Sequence, residues 1–260
     1  MRGIILAGGR GTRLSPLTQV VSKQLLPVYN KPMIYYPLST LMLIGIREIL
    51  IISDPKFLDS YKDLLGNGNK FGLQITYEVQ PQPNGIAESL SIGRKHIFNH
   101  KCALILGDNL LYGPGLGRNL SSKVSRSGAT ILAYQVSNPS EFGIVEFDHD
   151  GKPKEIYEKP TYPKSNWAIP GLYFYDESVS EKIEKIKPSV RGEKEITDLN
   201  KIYLEIGHLK VIKVPRGTAW LDLGNPDALL EAGKFIQIIE KRQGILIGDP
   251  SDVAKNMNWI

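Results

Sequence analysis

Gly3-Ile4-Ile5-Leu6-Ala7 is an unbroken apolar run, and Glu48-Ile49-Leu50-Ile51-Ile52-Ser53 and Cys102-Ala103-Leu104-Ile105-Leu106-Gly107-Asp108 repeat the pattern downstream. Runs that are apolar at successive rather than alternate positions predict strands covered on both faces, as in a parallel sheet. Helical patterns fill the intervals. One runs from Met33 to Gly45 with Pro37 early in it, one from Phe57 to Leu65, and one from Gly85 to Phe98 after a strand at Gln74 to Val79. Strands alternating with helices predict an α/β fold, a Rossmann-like, mostly parallel sheet flanked by helices, with ligands at the carboxyl ends of its strands. That rule places the loop from Gly8 to Arg13, Gln80 and Asp108 along one edge.

From Ala129 the pattern changes. Phe142 to Phe147, the turn Asp148-His149-Asp150-Gly151, and Pro153 to Glu158 read as a hairpin. A strand from Trp167 to Tyr175, helices at Ser178 to Ile186 and Ile196 to Ile206, short strands at Leu209 to Val214 and Ala219 to Asp222, and a helix from Asp227 to Arg242 follow. No repeat, low-complexity stretch or linker interrupts the chain. It reads as one domain over 1–260, with a first half (1–128), an antiparallel-rich lobe with a closing helix (129–243) and a terminal segment (244–260).

Composition narrows the class. The 260 residues are 42% hydrophobic and 23% charged, an ordinary globular balance. No apolar run reaches the length of a membrane span, and Met1-Arg2 leads straight into a buried strand, which points to a cytoplasmic protein with no membrane partner. The single cysteine, Cys102, precedes an apolar strand and reads as a core residue. A net charge of +5 suits phosphorylated small molecules, but the basic residues are scattered and form no nucleic-acid stripe.

The chemistry concentrates at the start. After the first strand comes Gly8-Gly9-Arg10-Gly11-Thr12-Arg13-Leu14, then Ser22-Lys23-Gln24-Leu25-Leu26-Pro27. The glycines allow a sharp turn whose N–H groups approach a ligand closely, and Arg13 and Lys23 add full positive charge. A polyphosphate is the natural occupant. The Gly-x-x-x-x-Gly-Lys phosphate loop is absent, and Leu14 stands where a dinucleotide fingerprint has its third glycine.

Gly8-Gly9-x-Gly11-Thr12-Arg13-Leu14 with the downstream lysine resembles the signature of the nucleotide-sugar pyrophosphorylases (sugar-1-phosphate nucleotidyltransferases). Lys31-Pro32-Met33-Ile34-Tyr35-Tyr36-Pro37-Leu38-Ser39-Thr40-Leu41 makes the chain most similar to the glucose-1-phosphate thymidylyltransferases among them. The resemblance extends to about Gln243. It implies the nucleotide-diphospho-sugar transferase fold and a reaction of dTTP with glucose 1-phosphate, giving dTDP-glucose and pyrophosphate as the first step of dTDP-sugar biosynthesis of the dTDP-rhamnose type. A sugar phosphate is already anionic near neutrality, so no general base is needed. What is needed is neutralisation of two anions and a leaving group.

Site roles follow from the resemblance residue by residue. Arg13, Lys23 and Lys159 are the expected catalytic cations: Arg13 on the β- and γ-phosphates, Lys23 on the α-phosphate and Lys159 on the sugar phosphate. Leu6, Gly8, Gly9, Gly11, Thr12, Gln24, Gln80 and Gly85 are expected to bind the nucleotide, with Gln80 reading the O4/N3 edge of the base and Gly85 reaching O2. Asn109, Gly143, Glu158 and Ile169 are expected at the sugar. Asp108 and Asp222, each after an apolar strand, are the expected ligands of Mg²⁺. The four histidines lie outside every motif and read as surface residues.

The sequence departs from the family in two ways. Family members more often carry Asp before the Gly85 position and Gln two residues beyond Ile86, where this chain has Asn84 and Glu88. They also continue past the point where this chain stops at Ile260, with helices at subunit interfaces. A homo-oligomer, a tetramer in the family, is thus an expectation from resemblance. UTP or CTP, or another sugar phosphate, remains an alternative substrate. An inactive sugar-nucleotide-sensing subunit is the alternative of another class.

Overall fold

The computed structural model describes residues 1–260. Its centre is a ten-stranded sheet. Gln74–Val79, Glu48–Ser53, Arg2–Ala7 and Cys102–Leu106 lie side by side and parallel. Leu172–Tyr175 follows, antiparallel, and bridges to Ala129–Gln135, beyond which lie Trp167–Ala168, Gly143–Phe147 and Pro153–Glu158. Leu209–Lys213 pairs in parallel with Ala129–Gln135. One sheet therefore runs through both halves of the chain.

Both faces of the parallel part are covered, as unbroken apolar runs require. Ile5, Ile51 and Ile105 belong to one core, and Ile4, Leu50 and Leu104 to the other. Alternate residues of each strand thus face opposite layers. Cys102 is fully buried among them, and burial pushes its thiol up to about 12.

Strand order reverses at Arg2–Ala7. The chain leaves it to build Glu48–Ser53 and Gln74–Val79 on one side, then returns to place Cys102–Leu106 on the other. A crevice opens beyond the carboxyl ends of strands at such a point. Here those ends are Gly8 and Asp108. Gly107 donates its N–H to the Leu6 carbonyl at 2.9 Å, and a Cβ on Gly107 would fall 2.9 Å from Gln24 Cγ.

The Met33–Gly45 pattern forms a helix over Tyr35–Leu43, and the Asp227–Arg242 pattern one over Pro226–Gln243, capped by Asn225. Several elements depart from the sequence reading. The helix expected over Gly85 to Phe98 is two short helices, Glu88–Ile92 and Arg94–Ile97. It starts late because the Ala87 N–H goes to the Lys194 carbonyl at 3.1 Å. It breaks at Gly93, which lies so close to the sheet that a Cβ would sit 2.7 Å from Ile4 Cδ1. The Ser178 to Ile186 helix is a helical turn, Val179–Lys182, followed by a tighter turn, Ile183–Lys185. Three elements lie outside the sequence reading: the strand Asn109–Tyr112, the helix Leu116–Lys123 and the helix Pro250–Asn256. The last packs Val253 and Ala254 into the core beside the Tyr35–Leu43 helix.

The strand expected over Trp167 to Tyr175 is interrupted at Pro170-Gly171, and this break shapes the site. Gly171 donates its N–H to Asn109 Oδ1 at 2.9 Å, and a Cβ there would lie 2.6 Å from Leu106 Cγ and 2.9 Å from Asn109 Oδ1. Gly171→Ala is expected to lower stability by about 1–3 kcal/mol through overpacking. The check is the urea midpoint at constant m; an unchanged midpoint would refute it.

Candidate active site

The loop after the first strand turns through Gly9 at φ 91° and Gly11 at φ 59°, both left-handed conformations that favour glycine. Thr12–Leu14 forms a single tight turn anchored by fully buried Leu14, leaving Thr12 and Arg13 exposed at the cleft. Gln24 braces the loop from behind. Its Nε2 donates to the Gly8 carbonyl at 3.0 Å, and its Oε1 accepts from Ser22 Oγ at 2.8 Å and Tyr61 OH at 3.2 Å. Gln24 also lines the recess, so the residue expected at the nucleotide both borders that space and braces the loop beside it.

Two connected depressions meet at this loop. A recess of about 300 Å³ is walled by Leu6, Gly8, Gln80, Pro83 and Gly85. A larger cleft of about 550 Å³ extends over the second lobe. Gly9, Lys23, Asp108 and Lys159 border both, so they stand at the junction.

At that junction two carboxylates face three cations. The strand Ala219–Asp222 pairs antiparallel with Asn109–Tyr112, setting Asp222 opposite Asn109 and beside Asp108. Leu223 donates its N–H to the Asp108 carbonyl at 3.0 Å, which fixes the two strand ends together. Lys23 pairs directly with Asp108 Oδ2, and Asn109 Nδ2 donates to Asp108 Oδ1 at 3.1 Å. Burial works to raise the Asp108 pKa, but Lys23 outweighs it and holds the carboxyl below its usual range. Asp222 has no such partner. Burial first, then the charge of Asp108, push it up to about 6, opposed by Lys23, Arg13 and Lys159. The Arg13 guanidinium lies on Gly224, where a Cβ would come within 2.6 Å of Arg13 Nη2.

Asn109 is 3% exposed, and its Oδ1 accepts from Gly171 N at 2.9 Å and Trp220 Nε1 at 2.7 Å. Of the polar groups expected to meet a sugar hydroxyl, its carbonyl is therefore occupied and only an N–H remains. Ile169 gives its N–H to the Gly143 carbonyl at 2.8 Å, so a backbone contact to a ligand falls to its own carbonyl. Gly143 and Glu158 face each other across the same hairpin and line the cleft. Lys159 follows at φ 40°, a left-handed turn that places it at the cleft rather than along the strand.

Sequence reasoning missed one wall. Arg191, Glu193, Thr197 and Asn200 line the cleft on the Glu158 side. Thr197 donates its hydroxyl to Glu158 Oε2, and Arg191 Nη1 lies 3.8 Å from Glu158 Oε1. Asn200, 1% exposed, accepts from Tyr175 OH at 2.8 Å, while its Nδ2 has no partner. Arg191 stands among Ser189-Val190-Arg191-Gly192-Glu193, a charged turn no pattern separates from solvent-facing loop. Only the chain's return to the sheet brings it to the site. His96 also departs from expectation. It is half-buried with Nε2 3.1 Å from the Gly3 carbonyl, and burial lowers its pKa; His100, His149 and His208 are exposed.

No His, Cys, Asp or Glu adds a third ligand to Asp108 and Asp222. Two carboxylates with remaining positions left to water and phosphate form a donor set that fits Mg²⁺, which is seldom caged by protein alone.

Comparison with known proteins agrees with this geometry. A glucose-1-phosphate thymidylyltransferase of Mycolicibacterium smegmatis is 54% identical over 260 residues, covering 100% of this chain and 90% of the relative. The Neisseria meningitidis enzyme of that name is 51% identical over 261 residues, with 100% and 91% covered. A Bacillus anthracis structure named as a glucose-1-phosphate thymidylyltransferase, in complex with sucrose, superposes at TM-score 0.84 with 38% identity, covering 90% of this chain and 94% of that one. A UDP-glucose pyrophosphorylase structure at 24% identity and TM-score 0.78 shares the fold. The nucleotidyl transferase family model matches residues 2–238, and the protein belongs to that family.

Proposed function

We propose that the protein transfers the thymidylyl group of dTTP to glucose 1-phosphate, giving dTDP-glucose and pyrophosphate. The carrying observation is the junction itself, where Lys23, Arg13 and Lys159 act on an acidic pair between a small recess and a wider polar cleft. The relatives' names supply the substrates. The recess takes the base, the Gly8–Arg13 loop the triphosphate, and the cleft the sugar phosphate. An oxygen of glucose 1-phosphate forms the new bond to the α-phosphorus while the bond to the β-phosphate bridging oxygen breaks. That oxygen leaves with its electron pair on pyrophosphate.

Each cation neutralises charge at one stage of that displacement. Lys159 and Arg191 hold the attacking phosphate, Lys23 faces the α-phosphate, and Arg13 spans the leaving pyrophosphate with a planar fork. Glu158 orders sugar hydroxyls, with Thr197 fixing its carboxylate. Asp108 and Asp222 would hold Mg²⁺, which when bound supplies positive charge to the phosphate oxygens. Pyrophosphate release with dTTP, UTP and CTP against glucose 1-phosphate and its galactose, mannose and glucosamine analogues tests the reading. Turnover confined to dTTP with glucose 1-phosphate is the expected result; binding without turnover anywhere would favour the sensing subunit.

Ligation requires Asp222 ionised, and its carboxyl titrates at about 6. Protons therefore compete with metal below that value. Apparent Mg²⁺ affinity is expected to be level from pH 8 to 7 and to fall by about tenfold per unit once well below pH 6. Calorimetric titration of Mg²⁺ at pH 7.5 and 5 checks it, and equal affinity at both would contradict the assignment.

A further inference from the structure

The two departures from the family pattern, Asn84 and Glu88, are bonded to each other. Asn84 Nδ2 donates to Glu88 Oε1 at 2.9 Å, and Gln80 Nε2 donates to Glu88 Oε2 at 2.8 Å. Gln80 Nε2 also donates to the Gly85 carbonyl at 3.2 Å. Gln80 is 5% exposed and lines the recess. A carboxylate and a backbone carbonyl only accept, so together they fix which way the Gln80 amide points. Reversing it would set Gln80 Oε1 against both acceptors. The opposite end, Oε1, lies beside Gly8, 2.9 Å from where a Cβ on that glycine would sit. With its nitrogen engaged by Gly85 and Glu88, the amide offers the recess an acceptor.

We infer that Glu88 is a positioning residue for base selectivity: by locking the Gln80 amide it selects a pyrimidine that carries a proton on N3, as thymine and uracil do, over cytosine. The inference rests on the reading of the recess as the base site. Cytosine presents an unprotonated N3, an acceptor facing an acceptor, whereas the N3–H of thymine donates to Gln80 Oε1. The acidic residue touches no substrate and acts only through Gln80.

The experiment is kcat/KM for dTTP and dCTP with glucose 1-phosphate in the wild type, Glu88→Leu and Glu88→Gln. In Glu88→Leu the shorter, charged contact is lost and only the 3.2 Å bond to the Gly85 carbonyl opposes reversal, so the Gln80 amide turns more readily to suit either base. The dTTP/dCTP ratio should shrink by about tenfold or more, the cost of one mismatched hydrogen-bond pair. The change should fall on KM, with kcat for dTTP within about threefold. Glu88→Gln still offers Gln80 an acceptor, and should keep the wild-type ratio. If Glu88→Leu does not fold, Glu88→Ser carries the same test. A ratio unchanged in Glu88→Leu, with both nucleotides weakened alike, would reduce Glu88 to a structural role and overturn the inference. Should the wild type release no pyrophosphate, the proposed reaction fails, and the same ratio read from equilibrium binding of dTTP and dCTP still decides the role of Glu88.

Discussion

Lys23→Met is expected to lower kcat by about 10²–10³-fold, the usual effect of removing one preorganised group that stabilises charge in the transition state. Methionine keeps most of the unbranched stem and removes only the ammonium, so the apolar packing of the Lys23–Leu25 turn survives. Lys23 is distinguished from Arg13 and Lys159 by its direct pair with Asp108. KM for glucose 1-phosphate should change little, because Lys159 and Arg191 remain on the cleft. The metal gives a second, independent signature. Removing Lys23 takes a competing cation from Asp108, so the Mg²⁺ concentration for half-maximal rate should fall or stay level. A rise would instead make Lys23 an organiser of the acidic pair. Turnover within threefold of wild type in a pyrophosphate-release assay would remove Lys23 from the mechanism. Melting is compared in Mg²⁺, since an Asp108 left without a counter-charge is itself destabilising.

The sequence carried the parallel sheet plainly, because Ile4, Ile5 and their counterparts at Leu50, Ile51, Leu104 and Ile105 must each bury a different face. It carried far less where one contact overrides local preference. Nothing in Glu88-Ser89-Leu90-Ser91-Ile92 announces a break at Gly93; the break comes from Ile4 of another strand. Likewise the interruption at Gly171 is fixed by Leu106 and Asn109. The structure brings Arg13, Lys23, Lys159, Asp108 and Asp222 to one junction, and all five were named from motif and resemblance. The roles of Gln24 and Asn109 were less legible, because an amide's partners are set by the fold. Arg191 and Asn200 were not legible at all. Their neighbours in sequence form an ordinary charged turn and an ordinary amphipathic helix, Ile196–Glu205. Gly85 was read as a turn residue reaching the base. The structure adds another reason for it: a Cβ there would sit 2.7 Å from Lys194 N, so the glycine lets the second lobe pack onto the Gln80–Gly85 loop.

Asp222→Asn is expected to abolish most activity while making the metal-free protein more stable. The two effects share one cause. Asp222 is buried beside Asp108, and burial followed by that charge raises its pKa from 3.8 to about 6. A carboxyl whose folded pKa exceeds its unfolded value stabilises the fold below the unfolded pKa, and this contribution is lost as pH rises through the folded one. At pH 7.5 the wild type therefore carries the full cost of an ionised Asp222, whereas asparagine stays neutral. Relief of that cost should raise stability by about 1–3 kcal/mol in EDTA. The melting midpoint should rise by about 2–4 °C per kcal/mol. The gain should shrink as pH falls through 6 and vanish near pH 3, below the unfolded value of 3.8, where the wild-type carboxyl is protonated in the fold and largely protonated in the unfolded chain. Saturating Mg²⁺ should also erase it, because metal bound at the acidic pair stabilises only the wild type. Activity moves the opposite way: with one of two carboxylates gone, kcat at millimolar Mg²⁺ should fall by about 10²-fold or more. Asp108→Asn gives the contrast. It loses the same activity without the stability gain, since Lys23 already compensates that charge. Equal melting midpoints for Asp222→Asn and wild type in EDTA at pH 7.5 would show that Asp222 carries no buried-charge cost, and retained turnover would remove it from the metal site.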